Sequence, residues 1–290
     1  MPDRSFSPTR RDMLAHSALG FSAATLFAPG LGIAPTAAAA TVDLNAPERR
    51  MNAVMKLFGA TDDRVCFGFV QGLYYGVVDN RMTPLYGVLA AVVNRYAARA
   101  DGTYDGKTFE VAYFTDWNTG ERLETFKNPY TGETVEVPVT RAGPHHIHLG
   151  PNGRIIPPGE SAGRDVRQAF LPLRVVNDHV WLIEEILAHT PAADGRPGFT
   201  LNSVTNWSGR VADVLDPKQA AVPAEVHYNA MVNWRPWLKM GDRPGFLLGN
   251  AAGRTVASID QLPPNYVALT KKLHPDVFED PKALLGPVGG

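Results

Sequence analysis

From Val65 to Val77 the chain alternates at period two. Val65, Phe67, Phe69, Gln71, Leu73, Tyr75 and Val77 are large and mostly apolar. Between them stand Cys66, Gly68, Val70, Gly72, Tyr74 and Gly76. Successive side chains of a strand point to opposite faces, so this run suits a strand and not a helix. Glycines repeated on one face mark the bends and bulges of a curved sheet. The pattern then spreads along the chain. Asp79-Asn80-Arg81 is a turn, and Pro84 to Tyr96 returns as a long apolar strand. Phe109, Val111, Tyr113, Thr115 and Trp117 alternate. The stretches 118–121 and 130–133 are hairpin turns, and Val135, Val137 and Val139 alternate again. Further strand-like runs cover 173–176, 179–183, 199–205, 224–233 and 246–249, although Val180 to Leu187 also has helical spacing. Short strands with turn signals about every ten residues predict a mainly β fold. The expected form is an antiparallel β-barrel, calycin-like in shape, with short helices at both ends. Regular β–α alternation is missing, which excludes a doubly wound sheet. A barrel of this length encloses a cavity suited to a small apolar or aromatic molecule.

The barrel is expected over residues 63–262. Before it, 41–62 holds a short helix: Met51, Val54, Met55 and Phe58 share a face, with Pro47 in the first turn and Gly59 past the end. After it, Pro263 to Leu273 reads as a helix and the rest of 263–290 as a Pro/Gly-rich tail. Residues 1–40 have another character. Thr9-Arg10-Arg11-Asp12-Met13-Leu14 opens a mildly apolar stretch that ends in Ala37-Ala38-Ala39-Ala40. Charged head, apolar middle and small-residue cleavage site are the order of a twin-arginine export signal. The expected partners are therefore the twin-arginine machinery and, for the released chain, the periplasm. Pro29-Gly30 interrupts the apolar stretch, so stable membrane insertion is not expected. The single cysteine, Cys66, forbids an intramolecular disulfide and reads as a buried structural thiol. Charge is balanced and no Lys/Arg run exceeds Lys271-Lys272, so a nucleic-acid partner is not expected.

Several blocks in order resemble a known family. They are Thr83-Pro84-Leu85-Tyr86-Gly87-Val88, Asn128-Pro129-Tyr130-Thr131-Gly132-Glu133, and Val222-Pro223-Ala224. Trp234-Arg235-Pro236-Trp237-Leu238-Lys239-Met240 follows, running into Pro244-Gly245, and then Gly253-Arg254 and Leu262-Pro263. Over about residues 50–280 the chain resembles the domain of unknown function 1838 family of bacterial proteins, which often carry twin-arginine signals. Thr255 stands where that resemblance implies a basic residue. The resemblance implies no settled reaction.

The sharpest chemical cluster is His145-His146-Ile147-His148. On a strand, His146 and His148 share one face and His145 takes the other. Two imidazoles on one face suit an acid/base pair, with Tyr75 as a further proton donor. They also suit a metal site, its third ligand coming from His179, His227 or a carboxylate. The expected substrate contacts are Tyr86, Arg95, Tyr113, Trp117, Asn128, Tyr130, Asn229 and Trp237, part of a wider aromatic set that includes Tyr74 and Tyr228. Tyrosine joins an apolar body to a polar tip, which fits a cavity for a ring compound. Gly159-Glu160-Ser161-Ala162-Gly163 matches Gly-x-Ser-x-Gly but lacks the strand–turn–helix setting that motif needs. No P-loop, His-Glu-x-x-His, Cys-x-x-Cys or strand-linked Gly-x-Gly-x-x-Gly occurs, so no cofactor is expected. Three functions fit. The first is an exported lyase or isomerase working by acid/base chemistry in the barrel cavity. The second is a periplasmic carrier of a hydrophobic ligand, and the third a metal-dependent enzyme using the 145–148 cluster.

Overall fold

A computed structural model describes residues 42–156, 165–192 and 198–289. Helix α1 (Pro47–Phe58) leads into strands β1 (Val65–Val78), β2 (Arg81–Ala98) and β3 (Tyr104–Thr115). A small ribbon of β4 (Thr125–Lys127) and β5 (Thr134–Glu136) stands apart. Then come β6 (Thr140–Gly150), β7 (Gly153–Arg154), β8 (Asp165–Phe170), β9 (Arg174–Val176), β10 (His179–Thr190) and β11 (Phe199–Arg210). After the one-turn helix α2 (Val211–Leu215), β12 (Glu225–Val232) and β13 (Phe246–Val256) complete the strands. The chain ends in α3 (Pro264–Leu273), α4 (Asp276–Glu279) and α5 (Pro281–Leu285).

Ten strands follow one another in the order β11-β12-β13-β1-β2-β3-β6-β7-β8-β10, and β10 pairs back onto β11. Every pairing is antiparallel, and the β10–β11 pairing closes the sheet into a calycin-like barrel. The stretch with ambiguous spacing, Val180 to Leu187, is part of strand β10. Pro84 is tolerated within β2 because a bulge there shifts the register from Tyr74↔Tyr86 to Tyr75↔Pro84.

Directly paired residues share a face, so the registers fix which side chains point inward. One row runs Gly68↔Val92↔Glu110↔Ala142 across β1, β2, β3 and β6. Another runs Gly72↔Ala251↔Tyr228↔Thr205↔Glu184 across β1, β13, β12, β11 and β10. The glycine-bearing face of β1 is thus the inner one. Its large outer side chains, Phe67 and Phe69, pack with Leu89, Val93, Phe109, Val111 and Tyr113 under the C-terminal helices. Residues after Pro275 form α4 and α5 where the sequence suggests only a tail, because Val277 and Leu285 are buried against this outer face. Two polar ties fix the cover. The Tyr266 hydroxyl donates to the Val111 carbonyl at 3.1 Å, and the Arg141 guanidinium binds both oxygens of Asp276.

Helix α1 plugs one end of the barrel. Met51, Val54, Met55 and Leu57 are buried there, and Phe58 packs edge-on to Trp207 and Phe170. Each such side chain contributes about 1.5–3 kcal/mol by leaving water. Two cations buried with them are satisfied. Arg50 donates to the Phe170, Leu171 and Pro151 carbonyls, and Lys56 Nζ donates to the Val214 and Asp216 carbonyls at 2.9 and 2.7 Å. Cys66 faces inward and is buried, and desolvation pushes its thiol up to about 11.

Candidate functional site

Beyond the α1 plug the interior becomes polar. Tyr74 points inward from β1, and its ring lies across β13: a Cβ on Gly249 would come within 2.8 Å of it. Only glycine leaves room for that crossing, which carries the Tyr74 hydroxyl toward β12. There it lies within interaction range of Tyr228 and of Arg235, which stands on the loop between β12 and β13. Glu110, inward on β3, couples electrostatically to Arg235, to Tyr228 and to His145. Three inward-facing strand residues and one loop residue are thus electrostatically coupled.

The electrostatics follow from burial. Desolvation raises the Glu110 carboxyl above its ordinary value, and Arg235 and His145 oppose that rise. Desolvation also holds the Tyr228 phenol well above the usual range, with Tyr74 and Glu110 adding to it. Burial pulls Arg235 down, but Tyr74, Tyr86 and Tyr228 around it outweigh burial and the net shift is upward. Arg235 is thus a fixed cation. Its Nε is buried with no hydrogen-bond partner, as is the hydroxyl of Tyr86, which sits in an aromatic cage of Tyr74, Phe114, Phe126 and Trp237.

The coupled set borders open space. Gly68, Val70, Val92, Glu110 and Tyr228 face inward yet are only partly buried. A Cβ added to Gly68 would meet nothing within 4 Å. An apolar wall with a few convergent polar groups is the usual form of a small-molecule site.

A second inward carboxyl, Glu184 on β10, is sealed. It is 4% exposed, accepts a hydrogen bond from Gln168 Nε2, and burial pushes it up to about 7.

The residues singled out from sequence fall in several places. His146 and His148 do share a face, but it is the outer one: their partners across β3 are Lys107 and Asp105. His146 Nε2 lies 3.5 Å from Asp105 Oδ1, and His148 Nε2 lies 2.8 Å from Thr103 Oγ1. The inward histidine of that strand is His145, paired with Thr108. Tyr75 is also on the outer face, paired with Leu248. Tyr86 and Trp237 stack at 5.2 Å. Tyr130 packs on Trp234 beside them, with its hydroxyl buried and unpartnered.

Arg95 and Tyr113 lie outside, holding the C-terminal helices through the Gly286 carbonyl and Thr270. Asn128 is buried as a loop tie: its Nδ2 donates to the Leu238 carbonyl at 2.7 Å and its Oδ1 accepts from Tyr130 N. Trp117 is 54% exposed in a turn. Asn229 lines an outer groove with Leu187, Val204 and Met231, and accepts from Asn250. Thr255, where a basic residue was expected, instead ties β13 to the Val222-Pro223-Ala224 segment by bonds to Ala224 N and the Val222 carbonyl. The Gly159–Gly163 motif and the export signal lie outside the described residues. Among the described residues, no group of three or more His, Cys, Asp or Glu is placed to hold a metal ion, and no helix is long and apolar enough to cross a membrane.

Glu110, Arg235, His145 and Glu184 were not singled out from sequence as inward-facing groups. The one available signal was a lone charge inside an apolar run, as in Phe109-Glu110-Val111 or Leu182-Ile183-Glu184.

Fold and chamber define a calycin-like barrel with room for a small apolar or aromatic molecule. The chain belongs to a family of proteins of unknown function, DUF1838, whose model matches residues 65–286. No curated protein matches the chain.

Proposed function

We propose that this protein is a small-molecule enzyme, a lyase or isomerase that works by general acid/base catalysis inside the barrel with its own side chains. One observation carries the reading: Tyr74, Tyr228 and Arg235 act on one another, Arg235 and Tyr228 couple to Glu110, and Glu110 and Tyr228 keep accessible surface on the inner face. Desolvation that raises a carboxyl makes it a stronger base than an ordinary carboxylate, which suits taking and returning a proton. A guanidinium and two phenols in a dry site are matched to steadying negative charge as it develops. A carrier needs the cavity but gains nothing from a desolvated carboxyl beside a fixed cation.

The test compares three proteins incubated with a bacterial small-molecule extract and followed by mass spectrometry: wild type, Glu110→Gln and Gly68→Leu. The second removes the base, and the third fills the open space. The expected result is a compound converted by wild type and by neither variant. If a molecule is instead bound unchanged by wild type and Glu110→Gln alike, and lost from Gly68→Leu, the protein is a carrier.

The reading includes export through the twin-arginine pathway to the periplasm, supported by Arg10-Arg11 and the small-residue run before Thr41. A reporter fused to residues 1–45 should reach the periplasm, and Arg10→Lys with Arg11→Lys should hold it in the cytoplasm. Unchanged export would remove that part of the proposal.

A further inference from the structure

The chemistry of the coupled set narrows the substrate. Its donors converge from separate elements: Tyr74 from β1, Tyr228 from β12 and Arg235 from the following loop. Facing them is one carboxylate, Glu110, and the remaining wall toward Gly68, Val70 and Val92 is apolar. When Glu110 is ionised, the one permanent cation of this set is already matched by one anion. A carboxylate ligand would bring a second anion beside a single guanidinium in a desolvated space, which is costly. A neutral ligand avoids that cost. If its proton then passes to Glu110, the negative charge moves from the carboxylate to the ligand, and Arg235 still faces one anion. Binding is then stronger to the charged intermediate than to the substrate, which is the condition for catalysis.

Building on the acid/base reading, we infer that the substrate is a neutral β,γ-unsaturated carbonyl compound with an apolar body, its oxygen received by Arg235, Tyr74 and Tyr228 and its acidic C–H turned to Glu110. Glu110 takes the proton from the carbon next to the carbonyl. The C–H electron pair becomes a C=C bond, and the carbonyl π pair moves onto oxygen as an enolate. The Glu110 carboxyl, its proton open to exchange with solvent, gives a proton to the γ carbon of the dienolate and the carbonyl re-forms. The net change is a shifted double bond, and no other reactant is consumed.

The test uses the full chain at pH 8. Cyclohex-3-enone is the carbonyl probe, followed by NMR in D2O for deuterium uptake and conversion to cyclohex-2-enone. 4-Nitrophenol stands in for the enolate and benzoate for a carboxylate ligand. Wild type should exchange and convert the ketone about 100-fold faster or more than Glu110→Gln. The same variant, which mimics the protonated base, should bind 4-nitrophenolate more tightly than wild type does. Tyr74→Phe and Arg235→Met should each weaken that binding about tenfold or more, with Arg235→Lys restoring part of it. Circular dichroism checks that each variant folds.

Tight benzoate binding that depends on Arg235 and exceeds that of 4-nitrophenol would overturn the neutral-carbonyl inference and leave the acid/base site standing. Ketone exchange unchanged by Glu110→Gln and by Gly68→Leu would overturn both.

Discussion

Glu110 and Glu184 both point into the barrel from long strands, and burial raises both carboxyls, yet their surroundings differ. Glu184 lies among the layers packed against α1. Its neighbours in register are Phe170 and Thr205, its partner is Gln168, and it is closed to solvent. Glu110 keeps accessible surface and faces Arg235 and Tyr228. Desolvation alone makes a carboxyl a weak acid. It becomes a candidate for chemistry when a ligand can reach it and when something opposite can take the charge it gives up. The α1 end therefore bears a polar group at a cost in stability, and the Glu110 end holds one that keeps accessible surface.

The comparison breaks first at turnover. Glu110→Gln should lower the rate on the physiological substrate by about 10²–10⁴-fold, the usual worth of a general base, with folding intact. Glu184→Gln should leave the rate within a few-fold. Equal losses in steady-state assays would mean that the two carboxyls act together.

The next effect is on stability. The Glu184 carboxyl rises from an ordinary 4.5 to about 7 in the fold, so between those values the native state binds more protons than the unfolded chain. Its contribution is complete at pH 4.5 and below and is lost as the pH climbs through 7. At pH 8 the buried charge costs on the order of 3 kcal/mol. Glu184→Gln keeps an acceptor for Gln168 and should recover most of that in urea unfolding at pH 8, with little gain at pH 4.5. A gain independent of pH would show that the carboxylate is not the source.

A smaller effect is expected at Gly249→Ala. The methyl would displace the Tyr74 ring, costing about 1–3 kcal/mol by overpacking and pulling the hydroxyl away from Arg235 and Tyr228. Thermal melts should show the loss, and activity should fall more than it does for Glu184→Gln. The smallest effect belongs to the outer histidines. His146→Ala with His148→Ala should change stability by no more than about 0.5 kcal/mol per site and leave turnover unchanged. A tenfold or larger drop in rate would move the chemistry to the outer face.

The strands were legible because period-two alternation and turn residues are local signals, and the His145–His148 parity followed from them. Which parity faces inward was not local. It depends on how the sheet curls and on what covers its outside. The large face of β1 is turned outward because α3 to α5, about 200 residues later, bury Phe67 and Phe69. The same cover buries the outer side of β3, so Phe109, Val111 and Tyr113 resemble a core face while Glu110 between them looks like a solvent position. Tyr74 and Tyr228 could be named as aromatic candidates, but their meeting depends on Gly249, a residue of a third strand. Arg235 lay within a block that carried the family resemblance. Nothing in its neighbours' spacing shows that a loop returns it to the interior.

The pairing of β1 with β13 has a consequence for how the protein is made. Phe67 is bonded in register with Val256, and Val77 with Phe246, so the first strand to leave the ribosome waits for nearly the last. The hairpins β1–β2 and β2–β3 can form early, but the cylinder cannot shut until β13 has been made. Contacts this far apart in sequence make closure slow and leave a half-built sheet with open edges in the meantime. A growing chain of this design needs protection until β13 emerges, and one truncated before Phe246 lacks the strand that pairs β1 with β12.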